Sequence, residues 1–164
     1  MTGGSSTDID AKAFFLADHA VVESGKVYAN GAFWDRLNFT TFPGTRTFAV
    51  VAVLHVPRDA YHQNHGFAVW FEDTDRNPIH GRLEGQFSVG ASPEMKVGGP
   101  TTMPLAAVIN NFVLHQPGCY ACVLEVDGSE VARWRFQAVQ VFESSGPAPS
   151  GPMAIPPLRP DGIS

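Results

Sequence analysis

Ile79-His80-Gly81-Arg82-Leu83-Glu84-Gly85-Gln86-Phe87-Ser88-Val89 alternates apolar and polar residues from end to end. Ile79, Leu83, Phe87 and Val89 fall on one face, and His80, Arg82, Glu84, Gln86 and Ser88 on the other. A period of two is the mark of a strand with one dry and one wet side. Working outward, 131–142 repeats the pattern: Ala132, Trp134, Phe136, Ala138 and Phe142 point inward, while Arg133, Arg135 and Gln137 point outward. The run from Thr47 to Val56 is apolar on both faces and reads as a central strand. Phe67 to Glu72 and Cys119 to Val126 add two more. Val126-Asp127-Gly128-Ser129 carries the Asp-Gly signal of a two-residue hairpin.

Two segments are open to more than one structure. Residues 11–22 suit either a helix capped at Thr7 or Asp8, or a strand and turn. Residues 103–115 have apolar positions at helical spacing, but Pro104, Asn110-Asn111 and Gln116-Pro117-Gly118 favour an extended segment with a break. About seven to nine short strands with turn signals between them call for two packed antiparallel sheets, an all-β sandwich.

The 164-residue, 17.7 kDa chain is the size of one domain. It divides into a polar terminus (1–8), a sandwich domain (9–143) and a tail (144–164). The stretch 143–164 holds six of the thirteen prolines, which favours an extended conformation. Hydrophobic residues at 44% exclude wholesale disorder. A net charge of -5 without a Lys/Arg cluster argues against nucleic acid or an anionic membrane as partner. No run of eighteen apolar residues and no secretory pattern are seen, so a cytoplasmic protein is expected.

Phe15 to Ala20 leads into Gly25-Lys26-Val27-Tyr28 and then Gly31-Ala32-Phe33-Trp34-Asp35-Arg36. Next come Phe42-Pro43 ahead of the long apolar strand, then Pro117-Gly118-Cys119-Tyr120, and Leu124 to Gly128. In this order the chain resembles, over about 11–142, a family of uncharacterised bacterial domains, common in actinobacteria and known only as a domain of unknown function. The resemblance implies an immunoglobulin- or C2-like β-sandwich and transfers no catalytic residue.

Each chemical motif has a plainer explanation beside it. Cys119 and Cys122 form a C-x-x-C, but residues three apart on a strand face opposite sides, so no mutual disulfide is expected. His62 and His65, with His55 upstream, have ligand chemistry for a transition metal, as well as the composition of a polar loop. Asp73 and Asp75 match half of a calcium loop that lacks its glycine and glutamate, and equally a strand reversal before Pro78. Asp18-His19 has no nucleophile to serve, no G-x-S-x-G elbow occurs, and Gly98-Gly99-Pro100 lacks the Lys of a P-loop. No cofactor is implied.

Tyr120 suits a tyrosine corner, its hydroxyl bonding back upstream; a ligand-stacking role is the alternative. Trp34, Trp70 and Trp134 suit core or half-buried positions. In the tail, Met153, Ile155 and Leu158 interleave with proline, which suits either an unstructured, solubilising tail or a segment that docks on a partner through these three side chains. Arg133 and Arg135 mark a wet sheet face. The expectation is a non-catalytic module for protein binding or self-assembly, its partner a protein or a second copy. The alternatives are a small-ligand or carbohydrate-binding sandwich and a metal-dependent hydrolase using His62 and His65.

Overall fold

The computed structural model describes residues 8–90 and 101–142, and these form nine strands and one 3₁₀ turn. The strands are β1 (Asp10–Glu23), β2 (Lys26–Ala32), β3 (Arg36–Phe39), β4 (Gly44–Val56), β5 (Asn64–Glu72), β6 (Pro78–Ser88), β7 (Thr101–Leu114), β8 (Gly118–Val126) and β9 (Ser129–Gln140). One sheet has the order β2-β1-β4-β7 and the other β3-β9-β8-β5-β6. All pairs are antiparallel except β3 with β9, which is parallel. The sandwich expectation holds with that one amendment.

Both open segments are strands. β1 covers residues 11–22, and β7 covers 103–114. The break in β7 falls where the register slips between Arg46 and Phe48 of β4 and Asn111 takes φ 54°. β2 and β3 are elements that periodicity alone does not find. Four residues, Arg-Leu-Asn-Phe, are too few to show a period, although Leu37 and Phe39 are buried in alternation.

β4 is apolar on both faces because both are covered. Phe48, Val50, Ala52, Leu54 and Val56 enter the core between the sheets. Ala49 and Val51 join a second cluster with Phe15, Ala17 and Ala20 on the other side. Phe15, opposite Val51 on β1, is stacked by Phe33 with ring centres 4.2 Å apart. At the start of β4, Gly44 is set by close approach: a Cβ there would lie 2.0 Å from Cδ1 of the buried Phe39.

The β8–β9 hairpin closes with Val126 opposite Ser129, and Asp127 and Gly128 lie at φ 50° and 82°. That is the left-handed pair the Asp-Gly turn requires. Tyr120 donates its hydroxyl hydrogen to the carbonyl of Gln116 at 2.7 Å, so the corner forms. Tyr120→Phe is expected to cost about 0.5–1.5 kcal/mol, the net worth of one such hydrogen bond, in a urea melt.

Two face assignments need correction. Phe142 is 80% exposed, not inside, because β9 ends at Gln140 and the chain leaves the sheet. The alternation of 79–89 is not fault-free in space. Val69 and Phe71 face Leu83 and Ile79, so β6 bulges over the three residues between. His80, at φ 64°, turns off the wet face to lie 4.5 Å from the Phe112 ring and bonds the Val113 carbonyl. Leu83, on the edge strand, stays 39% exposed.

Candidate binding face

Alternation in the five-stranded sheet leaves one face looking away from the core. Register aligns Trp70 with Val123 and Val123 with Arg133, and likewise Glu72 with Ala121 and Ala121 with Arg135. A row of charge and aromatic surface therefore crosses β5, β8 and β9. Glu72 accepts from Trp70 Nε1 at 2.9 Å and from Arg133 Nη1 at 2.7 Å. Arg133 turns its Nε and Nη2 to both oxygens of Glu130, at 2.9 and 3.0 Å. Arg82 lies 4.3 Å over the Trp70 ring and pairs with Glu125 at 2.6 Å and Glu84 at 2.9 Å. Val123, beneath this network, has no exposed surface.

The network favours the charged forms of Glu72, Glu130 and Arg133. Burial pushes the Glu72 carboxyl up, but the hydrogen bonds from Arg133 and Trp70 outweigh it and leave it below the usual range. Glu130 is lowered by Arg133 in the same way. The two carboxylates in turn keep Arg133 firmly protonated. Planar guanidinium groups in bidentate or stacked contact lose little freedom when a partner arrives.

At the end of the face where β8 begins, the surface sinks into an open groove of about 690 Å³. Arg36, Arg76, Arg133 and Arg135 line it, against the carboxylates of Asp35 and Asp73. Arg36 stands beside Gln137 through the β3–β9 pairing. Arg76 is placed by the β5–β6 reversal. There Asp73 Oδ1 accepts the Asp75 and Asn77 amides, each at 2.9 Å, and Thr74 ties the turn to the Cys119 carbonyl. Those backbone hydrogen bonds, led by Asn77, hold the Asp73 carboxyl low. Cys119 opens into the groove with an exposed thiol, while Cys122 faces the core, where burial pushes its thiol up. No disulfide joins them.

The metal-ligand candidates do not converge. His65 is buried between the Ala60 carbonyl and Asp127, at 2.8 and 2.7 Å. His55 pairs with Asp10 at 2.8 Å, and His62 lies exposed in the loop after the 3₁₀ turn. Asp73 serves the reversal, and Asp75 contributes its amide to it. Among the described residues no group of three His, Cys, Asp or Glu is placed to hold a metal. Arg133 and Arg135 both lie on the outer face, Arg133 in ion pairs and Arg135 exposed. Met153, Ile155 and Leu158 lie outside the described residues. Arg36 and Arg76 were not signalled by the sequence, because each stands alone in a short polar stretch. No helix among the described residues is long and apolar enough to cross a membrane.

Residues 12–139 match the profile of a family of unknown function, DUF6941. No curated protein is matched. Among solved structures, the chain is similar to the Pseudomonas fluorescens alkylpurine DNA glycosylase AlkC bound to DNA containing an abasic site analogue. That match has a TM-score of 0.47 and 12% identity, over 83% of this chain and 32% of that one. It is also similar to the beta-glucosidase from Listeria innocua in complex with glucose, with a TM-score of 0.45 and 10% identity, over 79% and 16%. The chain thus spans about a third of the first and a sixth of the second.

Proposed function

This chain belongs to the family of unknown function DUF6941, which brings no activity with it, and we propose that it is a non-catalytic module of immunoglobulin-like topology that binds another protein. The strand orders support the topology: β1-β4-β7 against β9-β8-β5-β6 matches the A-B-E and G-F-C-C′ orders of that fold. Tyr120 stands two residues before Cys122 on β8, as the corner tyrosine stands before the second cysteine of immunoglobulin domains.

The observation that carries the reading is the preorganised outer face of the five-stranded sheet. Trp70, Arg82, Glu72 and Arg133 are held to one another by hydrogen bonds, an ion pair and a guanidinium stacked on the indole. Tryptophan and arginine dominate binding energy at protein interfaces, and side chains already ordered pay little entropy on docking.

The test is affinity capture from native lysate with quantitative mass spectrometry, using three baits. These are the wild-type chain, Arg82→Glu, and Arg58→Glu, the last in the 3₁₀ turn and away from that face. Proteins captured by wild type and by Arg58→Glu should be lost with Arg82→Glu at an unchanged melting temperature. Equal capture by all three baits would remove the face from consideration.

A carbohydrate or small-ligand reading has one observation in its favour. Phe33 is 62% exposed, stacked on Phe15, and held at φ 65°, a strained conformation for a bulky residue. A glycan array on which Phe33→Ala loses a wild-type signal would favour it.

A further inference from the structure

We infer that the groove at the β8 end of the outer face takes an acidic, extended segment of the protein partner, with carboxylates at alternate positions. The inference rests on the docking-face reading above and adds the partner's chemistry. In a chain of net charge -5, arginines gathered in one groove run against the overall balance. They also differ from the other charges of the face. Arg82 and Arg133 have carboxylate partners, whereas Arg36, Arg76 and Arg135 form no ion pair among the described residues. Four guanidinium groups against the two carboxylates of Asp35 and Asp73 give the concavity an attractive potential for anions.

Their layout selects the anion. Arg133 and Arg135 are two apart on β9, so their Cα atoms lie roughly 6.5–7 Å apart along the strand. Arg36, in register with Gln137, continues the row one step further on the neighbouring strand. An extended peptide repeats its own side chains at that same interval. Arg133 is already occupied by Glu72 and Glu130, so the cations without an ion pair are Arg135, Arg36 and, across the groove, Arg76, which acts on Glu130 only at longer range. A compact anion such as phosphate would need donors converging on one point. Here the strand register sets Arg133, Arg135 and Arg36 in a row with Arg76 opposite, and Asp35 and Asp73 in the lining repel a dense polyanion such as nucleic acid. Guanidinium suits carboxylate through two parallel hydrogen bonds, which gives both affinity and orientation.

The experiment uses the full chain and a fluorescein-labelled octapeptide of alternating glutamate and serine, read by polarisation at low salt. Its neutral glutamine–serine twin is the control, and unlabelled pyrophosphate is the competitor. The acidic peptide should bind, weaken steeply between 20 and about 200 mM salt, and outlast pyrophosphate at equal concentration. The double variant Arg36→Glu/Arg135→Glu should bind at least about tenfold more weakly, the scale of one lost charge-assisted hydrogen bond. Arg58→Glu should stay within about twofold of wild type. Bound peptide should also slow alkylation of Cys119, which opens into the groove and needs no engineering.

Equal binding of the neutral twin, or indifference to the double variant, overturns the inference. Displacement by pyrophosphate at equal concentration overturns it in favour of a compact-anion site. If the acidic peptide fails while Arg82→Glu still abolishes capture, the docking face stands and the acidic partner falls. If the peptide binds but capture ignores Arg82→Glu, the groove stands and the wider docking reading falls.

Discussion

Phe48→Ala is expected to destabilise the domain by about 3–5 kcal/mol, the cost of emptying a large core site that cannot collapse. Phe48 is 2% exposed and sits where both sheets and the chain ahead of β3 meet. Its ring lies edge-on to Trp34 at 5.3 Å, to Phe71 at 5.7 Å and to Phe112 at 5.2 Å. Those three come from the segment before β3, from β5 and from β7, so the loss is felt across the sandwich. The neighbours brace one another independently: Phe71 lies 4.6 Å from Phe112, and Trp34 is edge-on to Phe136 at 6.0 Å. A braced ring cannot lean into the vacancy, which puts this site toward the upper end of the range. For a domain of this size the melting temperature should fall by roughly 10 °C or more. On the outer face, Arg135→Ala should stay within about 0.5 kcal/mol, because its side chain is exposed and forms no ion pair among the described residues. Similar losses for both would contradict the assignment of inside and outside.

The core was legible because burial writes itself into adjacent residues. Val50 and Val51 are both buried on opposite faces of β4, and the sequence carries that as an unbroken apolar run. The Asp127-Gly128 turn and the Tyr120 corner are equally local: turn chemistry spans two residues, and the Tyr120 hydroxyl reaches back four. The binding face has no such local record. Glu72 and Arg133 are 61 positions apart, and only the β5–β8–β9 pairing brings them to 2.7 Å. The groove combines Arg36, Arg76 and Arg135 from three unrelated segments. His80 shows a further limit. Alternation places it on the wet face, but a bulge two residues longer than its partner strand rotates it onto Phe112. Periodicity records which residues prefer burial, and it does not record register.

Stability should pass through a plateau between about pH 4.5 and 6.5, bounded above by His65 and below by the carboxyls whose charged forms the fold favours, Glu72 and Glu130 first among them. His65 forms the upper edge. Its Nε2 meets the Ala60 carbonyl and its Nδ1 meets Asp127 Oδ2, and both are acceptors, so both ring nitrogens must donate. Only the imidazolium can do that. Burial pulls the ring's pKa down from 6.5, but the carbonyl and the carboxylate outweigh it, and the folded value is raised. This contribution is complete below 6.5 and is lost as pH rises through the folded value. Glu72, with Glu130, forms the lower edge with the opposite sign. Its folded value lies below 4.5, so its contribution is complete above 4.5 and is lost as pH falls through the folded value.

The upper edge can be removed by itself. Asp127 also accepts the Gly66 amide at 2.9 Å and occupies the left-handed first turn position. Asp127→Ala therefore loses a charge-assisted bond to a buried ring and adds backbone strain, for about 2–4 kcal/mol at pH 6. Asp127→Asn tolerates the backbone and keeps a neutral acceptor, so the turn survives while the carboxylate is gone. Urea midpoints measured from pH 4 to 9 should fall on the alkaline side for wild type and stay nearly level there for Asp127→Asn. The acid-side decline, which belongs to Glu72 together with Glu130 and, at lower pH, Asp73, should be the same in both. An alkaline decline of equal size in Asp127→Asn would mean that another group carries it, and that His65 is held neutral in the fold.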